Sequence, residues 1–144
     1  MIYFSFKTKY FVKKTPKNYL INAKNKILGR LCSNTIKYLI GKHLPTYTPN
    51  YNYLNNIIII NANKIKFNKK KIKKKIYYKY TGYIGNKKKY TMDFLLKKNP
   101  CLLVKLSLYR MLPKNILGEH AKKKIYIYKD NNYKRLNSIK EIKI

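Results

Sequence analysis

The sequence supplies few of the side chains from which catalytic and metal sites are usually built: four acids (Asp93, Glu119, Asp130, Glu141), two histidines (His43, His120) and two cysteines (Cys32, Cys101). A general acid–base pair needs two titratable groups held at a defined separation, and no two of these carboxylates have a spacing that places them in one site. Glu119 and His120 are adjacent, but no second pair at helical spacing completes a metal site. Cys32 and Cys101 are too far apart for a zinc knuckle and too few for a disulfide framework, so both read as small buried hydrophobes. Gly82 and Gly85 have part of a phosphate-loop spacing but lack the third glycine and the downstream acid. Catalysis, a metal, a cofactor and a small-molecule substrate are therefore not expected.

The chemistry available in quantity is cationic. With 35 Lys or Arg, 4 Asp or Glu and a formal net charge of +31, the chain needs a polyanion. A phosphate backbone cancels such charge most fully, because each neutralised phosphate also releases counterions. A membrane surface is the competing polyanion, but no apolar stretch approaches the roughly 20 residues needed to span a bilayer. Three segments join cations and planar rings to sharp backbone turns. Gly41-Lys42-His43 precedes Tyr47-Thr48-Pro49; Tyr80-Thr81-Gly82-Tyr83-Ile84-Gly85 leads into Lys87 to Lys89; Arg110-Met111-Leu112-Pro113-Lys114 flanks an apolar plug with two cations. Glycine lets a backbone approach a phosphate, and tyrosine stacks on a base or ribose. Each segment also has a plainer reading: a capping glycine, a solvated histidine, a core tyrosine.

These segments hang on elements legible in the hydrophobic pattern. Asn18 to Asn22 reads as a first strand, with a turn over Ala23 to Lys26. Leu28, Leu31, Cys32, Thr35, Ile36, Leu39 and Ile40 form one stripe of a helix that Gly41 caps, with Arg30, Asn34 and Lys37 facing away. Ile57 to Ile60 is an unbroken β-branched run, the mark of a strand buried on both faces in a parallel sheet. The opening is thus strand, helix, strand, as in an α/β sandwich. Lys69 to Lys75 reads as a loop or strand extension lying against phosphate. Ile76 to Tyr78 suggests a further strand. Thr91 is an N-cap for a helix with Asp93 in its first turn and Lys97 and Lys98 in its last; Pro100 starts a second helix and Pro113 stops it. Lys124 to Tyr128 alternates like a last strand. The domain is expected over 18–129, with a basic segment 1–17, readable as a targeting peptide or as an RNA-binding arm, and a polar C-terminal tail over 130–144.

Ile, Tyr, Asn and Lys dominate while Ala, Gly, Pro and Trp are scarce, the vocabulary of AT-rich codons. That bias points to an organelle, mitochondrion before plastid, or to the cytoplasm of a reduced bacterium. It also makes the residues that resist the bias the informative ones.

Taken in order, Asn18-Tyr19-Leu20-Ile21-Asn22-Ala23, Ile27-Leu28-Gly29-Arg30-Leu31, Gly41-Lys42-His43 with Tyr47-Thr48-Pro49, and Ile57 to Ile60 with Asn61-Ala62-Asn63-Lys64 resemble the L-thirteen family of large-subunit ribosomal proteins in its bacterial and organellar form. Tyr77-Tyr78 with Thr81-Gly82-Tyr83-Ile84-Gly85, Arg110 to Lys114, and Leu117-Gly118 continue the match. All five glycines, at 29, 41, 82, 85 and 118, fall inside these segments. The resemblance implies a three-layer α/β/α domain with a small parallel sheet. It also implies a structural role: binding and stabilising large-subunit ribosomal RNA beside neighbouring ribosomal proteins and supporting subunit assembly, with no catalytic site and no cofactor. The chain departs from the family pattern at Asn18 (usually Trp), Asn22 (an acid), Leu54-Asn55-Asn56 (Thr-Gly-Asp), Lys79 and Tyr80 (two histidines) and Glu119 (a basic residue). The expected RNA contacts are Arg30, Lys42, His43, Tyr47, Thr48, Lys79, Thr81, Gly82, Tyr83, Gly85, Lys87, Lys88, Arg110 and Lys114.

Overall fold

A computed structural model of the chain describes residues 16–45, 47, 49, 55–133 and 138–142. Strand β1 (Asn18–Asn22) leads through a turn into helix α1 (Leu28–Ile40), and β2 (Asn56–Ile60) follows. A 3-10 turn at Ala62–Lys64 precedes α2 (Lys69–Lys74), the hairpin strands β3 (Ile76–Tyr80) and β4 (Lys87–Thr91), and helices α3 (Met92–Lys98), α4 (Pro100–Met111) and α5 (Ile116–Lys122). Strands β5 (Ile125–Ile127) and β6 (Ile139–Ile142) complete the order.

The main sheet has four strands in the order β5-β2-β1-β6, every neighbouring pair parallel, with Leu20 beside Ile58 and Ile58 beside Tyr126. β2 lies inside it, and Ile57 to Ile60 are all buried, as a β-branched run between two parallel neighbours requires. The small parallel sheet and the α/β class are those expected. Side chains alternate across the sheet, so Tyr19, Ile21, Ile57 and Ile59 face the larger core with Leu31, Leu39, Leu103, Val104 and Leu108. Leu20, Ile58 and Ile60 face the other way, under Tyr128, Tyr133 and Ile139. Each buried Leu or Ile contributes on the order of 1.5–3 kcal/mol relative to exposure.

The helix ends follow local chemistry. Gly41 closes α1 at φ 82°, its N–H reaching back to the carbonyls of Lys37 and Tyr38. Thr91 Oγ1 accepts from the Phe94 N–H at 3.3 Å and Asn99 Oδ1 from the Cys101 N–H at 2.9 Å, so each helix of the α3–α4 pair has its own N-cap. Asp93 bridges Lys97 at 2.8 Å across one turn of α3. Cys32 is fully buried, its thiol pushed up to about 12 by desolvation against a smaller lowering by Lys75; Cys101 is half-buried.

Three expectations are corrected. The lysine run Lys69 to Lys75 is neither loop nor strand extension: Lys69–Lys74 is a helix, because Asn68 Oδ1 caps the Lys70 N–H at 3.0 Å, lysine tolerates helix well and Ile72 packs against the core. Lys87 to Lys89, read only as a cluster of charge, form most of β4. The polar tail expected after Lys129 supplies β6, which adds to the open edge of β1.

At Asn22 and Asn55, two of the positions where the chain departs from the pattern it resembles, the asparagine side chains tie neighbouring segments together. Asn22 Oδ1 accepts from the Lys24 N–H at 3.0 Å and from Asn61 Nδ2 at 3.1 Å. Buried Asn55 donates to the Tyr38 carbonyl at 2.9 Å and accepts from the Lys17 N–H at 3.2 Å.

Candidate nucleic-acid interface

The most concentrated group of expected contacts is the β3–β4 hairpin, which holds Lys79, Thr81, Gly82, Tyr83, Gly85, Lys87 and Lys88, all exposed. Its turn needs left-handed backbone at Gly82 (φ 98°) and Gly85 (φ 76°), and at neither would an added Cβ meet another atom within 4 Å. Glycine is required there by conformation, not by crowding. Tyr80, Tyr83 and Ile84 stand out at 62%, 76% and 102% exposure, a display of ring and apolar surface that folding alone does not reward. Lys87 lies 4.3 Å from the centroid of the Tyr78 ring. This cation–π contact fixes the ammonium beside an exposed aromatic face. Tyr80 donates to the Gly82 carbonyl at 3.3 Å, stiffening the turn.

A second group surrounds the end of α1. Lys42 and Tyr47 line a groove with Pro49, Met111 and Pro113, so the Gly41–Pro49 loop and the end of α4 come together although they are remote in sequence. Lys114 follows, exposed. Thr48 lies outside the described residues.

His43 is not on an open surface. Its ring packs against both Tyr19 and Tyr38, with centroids 5.8 and 4.6 Å away, and its Nε2 is 3.2 Å from the Tyr19 hydroxyl. Burial holds its pKa below the usual histidine value, opposed by the Lys37 backbone and reinforced by the charges of Lys17, Lys37 and Lys140. Neutral His43 therefore joins β1 to the loop after α1.

Arg30 is exposed in the first turn of α1. Arg110 is drawn elsewhere: its guanidinium sits 4.8 Å from the Tyr77 ring centroid, and it lines a cavity with Gly29, Lys66, Lys71 and Lys75. Lys66 was not singled out in the sequence; the lysine run signalled the charge of Lys71 and Lys75 but not the helix that orders it.

The described acids do not oppose this charge in the hairpin. Glu119 pairs with Lys122 within α5 and Asp93 with Lys97 within α3, while Asp130 and Glu141 belong to the last strands and their connection. Among the described residues no group of His, Cys, Asp and Glu has metal-site geometry, and no helix is long and apolar enough to cross a membrane.

The arrangement suits a folded polyanion: cations for phosphates, exposed rings for unstacked bases, and a rigid sheet behind both. Residues 16–134 match the family model of Ribosomal protein L13. The large ribosomal subunit protein uL13 of Thermosipho africanus is 46% identical over 110 residues, covering 76% of this chain and 74% of the relative. That of Buchnera aphidicola is 42% identical over 115 residues, covering 80% and 81%. That of Helicobacter pylori is 40% identical over 114 residues, covering 79% and 81%. With a matched segment of this length and relatives this similar, the chain belongs to the Ribosomal protein L13 family, whose members are ribosomal proteins and not enzymes.

Proposed function

We propose that this protein is a structural constituent of the large ribosomal subunit, where it binds and braces the ribosomal RNA, supports subunit assembly and packs beside neighbouring ribosomal proteins. The observation that carries the reading is the β3–β4 hairpin: Lys79, Lys87, Lys88 and Lys89 stand beside Tyr78, Tyr80 and Tyr83, with no acid in either strand. Lysines neutralise phosphates, and the tyrosines stack on bases splayed from a loop. Arg30, Lys42, Tyr47, Thr48 and Lys114 extend the contact, while Gly82 and Gly85 shape the turn that carries Thr81 and Tyr83.

The test is binding of the full chain to large-subunit ribosomal RNA across a salt series, with duplex DNA as competitor. A steep loss of affinity with salt and preference for the RNA are expected. Binding indifferent to salt sinks the phosphate contacts, and preference for the duplex makes the protein an architectural DNA binder.

We infer further that the ribosome belongs to an organelle with an AT-rich genome, mitochondrial before plastid, on the strength of the Ile, Asn, Lys and Tyr content. Mapping the gene to an organellar genome tests this; a bacterial chromosome refutes it.

A further inference from the structure

The cavity that holds Arg110 lies apart from the hairpin turn. Its volume is about 240 Å³, and its walls come from the start of α1 (Ile27, Leu28, Gly29), the segment Lys66 to Asn68, α2, Tyr77, Met92 and the end of α4. The parallel bridge between Ile27 and Lys66 brings the first two together. Four cations line it, Lys66, Lys71, Lys75 and Arg110, and no acid does. Between them Phe67, Met92 and Met111 supply apolar surface. Tyr77 forms part of the wall at 3% exposure, with the Arg110 guanidinium 4.8 Å and the Lys75 ammonium 5.3 Å from its ring centroid. Its buried hydroxyl has no hydrogen-bond partner among the described residues.

The mouth has a further property. Helix α1 runs for 13 residues, and Ile27 at its N-cap offers no side-chain acceptor to the N–H groups of the first turn. The positive end of the helix dipole thus borders the cavity at Gly29. An added Cβ at Gly29 would meet nothing within 4 Å, so a phosphate can approach that backbone closely.

An apolar, aromatic-walled hollow with a cationic rim, a buried unpartnered hydroxyl and a helix N-terminus at its edge suits one chemical class: a planar base joined to a phosphate. We propose that this cavity receives a single nucleotide extruded from the RNA, with the base against Phe67, Met92 and Met111 and the phosphate between the Gly29 end of α1 and Arg110. The proposal rests on the RNA-binding reading above. A free mononucleotide shares the same chemistry and is separated from it by the test.

The full chain, labelled with nitrogen-15, is titrated with AMP, UMP, the matching nucleosides, inorganic phosphate, and hexamers of adenylate and uridylate RNA. At least one mononucleotide should shift the Gly29 and Arg30 amides with affinity at least tenfold above its nucleoside and above phosphate. The matching hexamer should displace it and bind at least tenfold more tightly still. The Gly29→Glu variant places a carboxylate where the phosphate would sit, at a position where glutamate favours the helix, so its melting temperature should hold or rise while nucleotide affinity falls at least tenfold. Arg110→Gln should lower affinity in the same sense.

Phosphate alone binding as tightly as the nucleotide overturns the proposal, as does a hexamer that fails to displace the mononucleotide, or a folded Gly29→Glu variant that binds like the parent. Hexamer binding that moves the hairpin amides and leaves Gly29 silent refutes the cavity and leaves the RNA-binding reading standing. Hexamers and ribosomal RNA binding nowhere refute that reading itself.

Discussion

Lys79 stands directly opposite Lys88 in the register of the β3–β4 hairpin, with Tyr80 opposite Lys87 at the next position. Directly opposed residues of an antiparallel pair project to the same face about 5 Å apart, so the two ammonium groups repel one another and lower the stability of the ribbon that displays them. A phosphate lying over the pair removes that repulsion, which makes the hairpin better suited to its complex than to free solution.

Lys79→Gln should accordingly leave the hairpin as stable or raise stability by a few tenths of a kcal/mol, while weakening RNA binding. The slope of log affinity against log salt should fall by about one, as expected when one fewer phosphate is neutralised. Chemical denaturation and filter binding across a salt series read the two effects. Weaker binding with an unaltered slope would place Lys79 away from phosphate.

Tyr83→Ala should behave in the opposite way. Tyr83 is exposed and supports no core, so the melting temperature should not move. If the ring stacks on a base, affinity should drop by about 1–3 kcal/mol with the salt slope preserved. An affinity equal to the parent's rules out stacking at this position.

Acidification should destabilise the fold through His43. Its folded pKa is held below the unfolded value, with burial the largest cause. The unfolded chain therefore takes up the proton first as pH falls. Stability contributed by neutral His43 is complete above the ordinary histidine pKa, declines below it, and levels off once the pH passes the depressed folded value. Denaturant midpoints measured from about pH 7.5 to 5 should show this decline in the parent and a smaller one in His43→Gln. Parallel profiles in both would assign the pH dependence to other groups.

Gly118→Ala should be costly for a reason that has nothing to do with backbone freedom. A Cβ there would lie 1.9 Å from the Pro113 carbonyl oxygen, and the Gly118 N–H is already bonded to Asn115 Oδ1 at 2.8 Å. The Pro113 oxygen is backbone and the Asn115 side chain is held by its capping bond, so the start of α5 must shift, at an expected cost of about 1–3 kcal/mol. Differential scanning calorimetry should show the loss; an unchanged melting temperature would mean that the Pro113–Asn115 turn relaxes freely.

The segments readable in advance were those whose structure is decided by near neighbours. The stripe from Leu28 to Ile40, the αL cap at Gly41, the N-cap at Thr91, the helix start at Pro100, and the β-branched run of β2 each follow from a period or from one residue's conformational preference. Of the hairpin, the first strand and the turn at Gly82 and Gly85 were legible, but the second strand was not, because Lys87 to Lys89 show no apolar alternation and become a strand by pairing with β3. Helix α2 was missed because a lysine run has no amphipathic period to declare it, and only the half-buried Ile72 ties it to the core. Strand β6 was missed because Ile139-Lys140-Glu141-Ile142 lacks strand alternation and becomes a strand by pairing with β1, which lies near the other end of the chain.

By itself, then, the sequence determined the charge, the local elements and the glycines that bend the chain, since these depend on composition and on contacts a few residues apart. Only the tertiary structure decided that His43 packs against Tyr19 and Tyr38, that Lys42 shares a groove with Pro113, and that Gly29 meets Lys66 and Arg110 around one cavity. Those neighbours are chosen by burying apolar faces and closing a parallel sheet, processes that join distant segments and leave no trace in the spacing of any one of them.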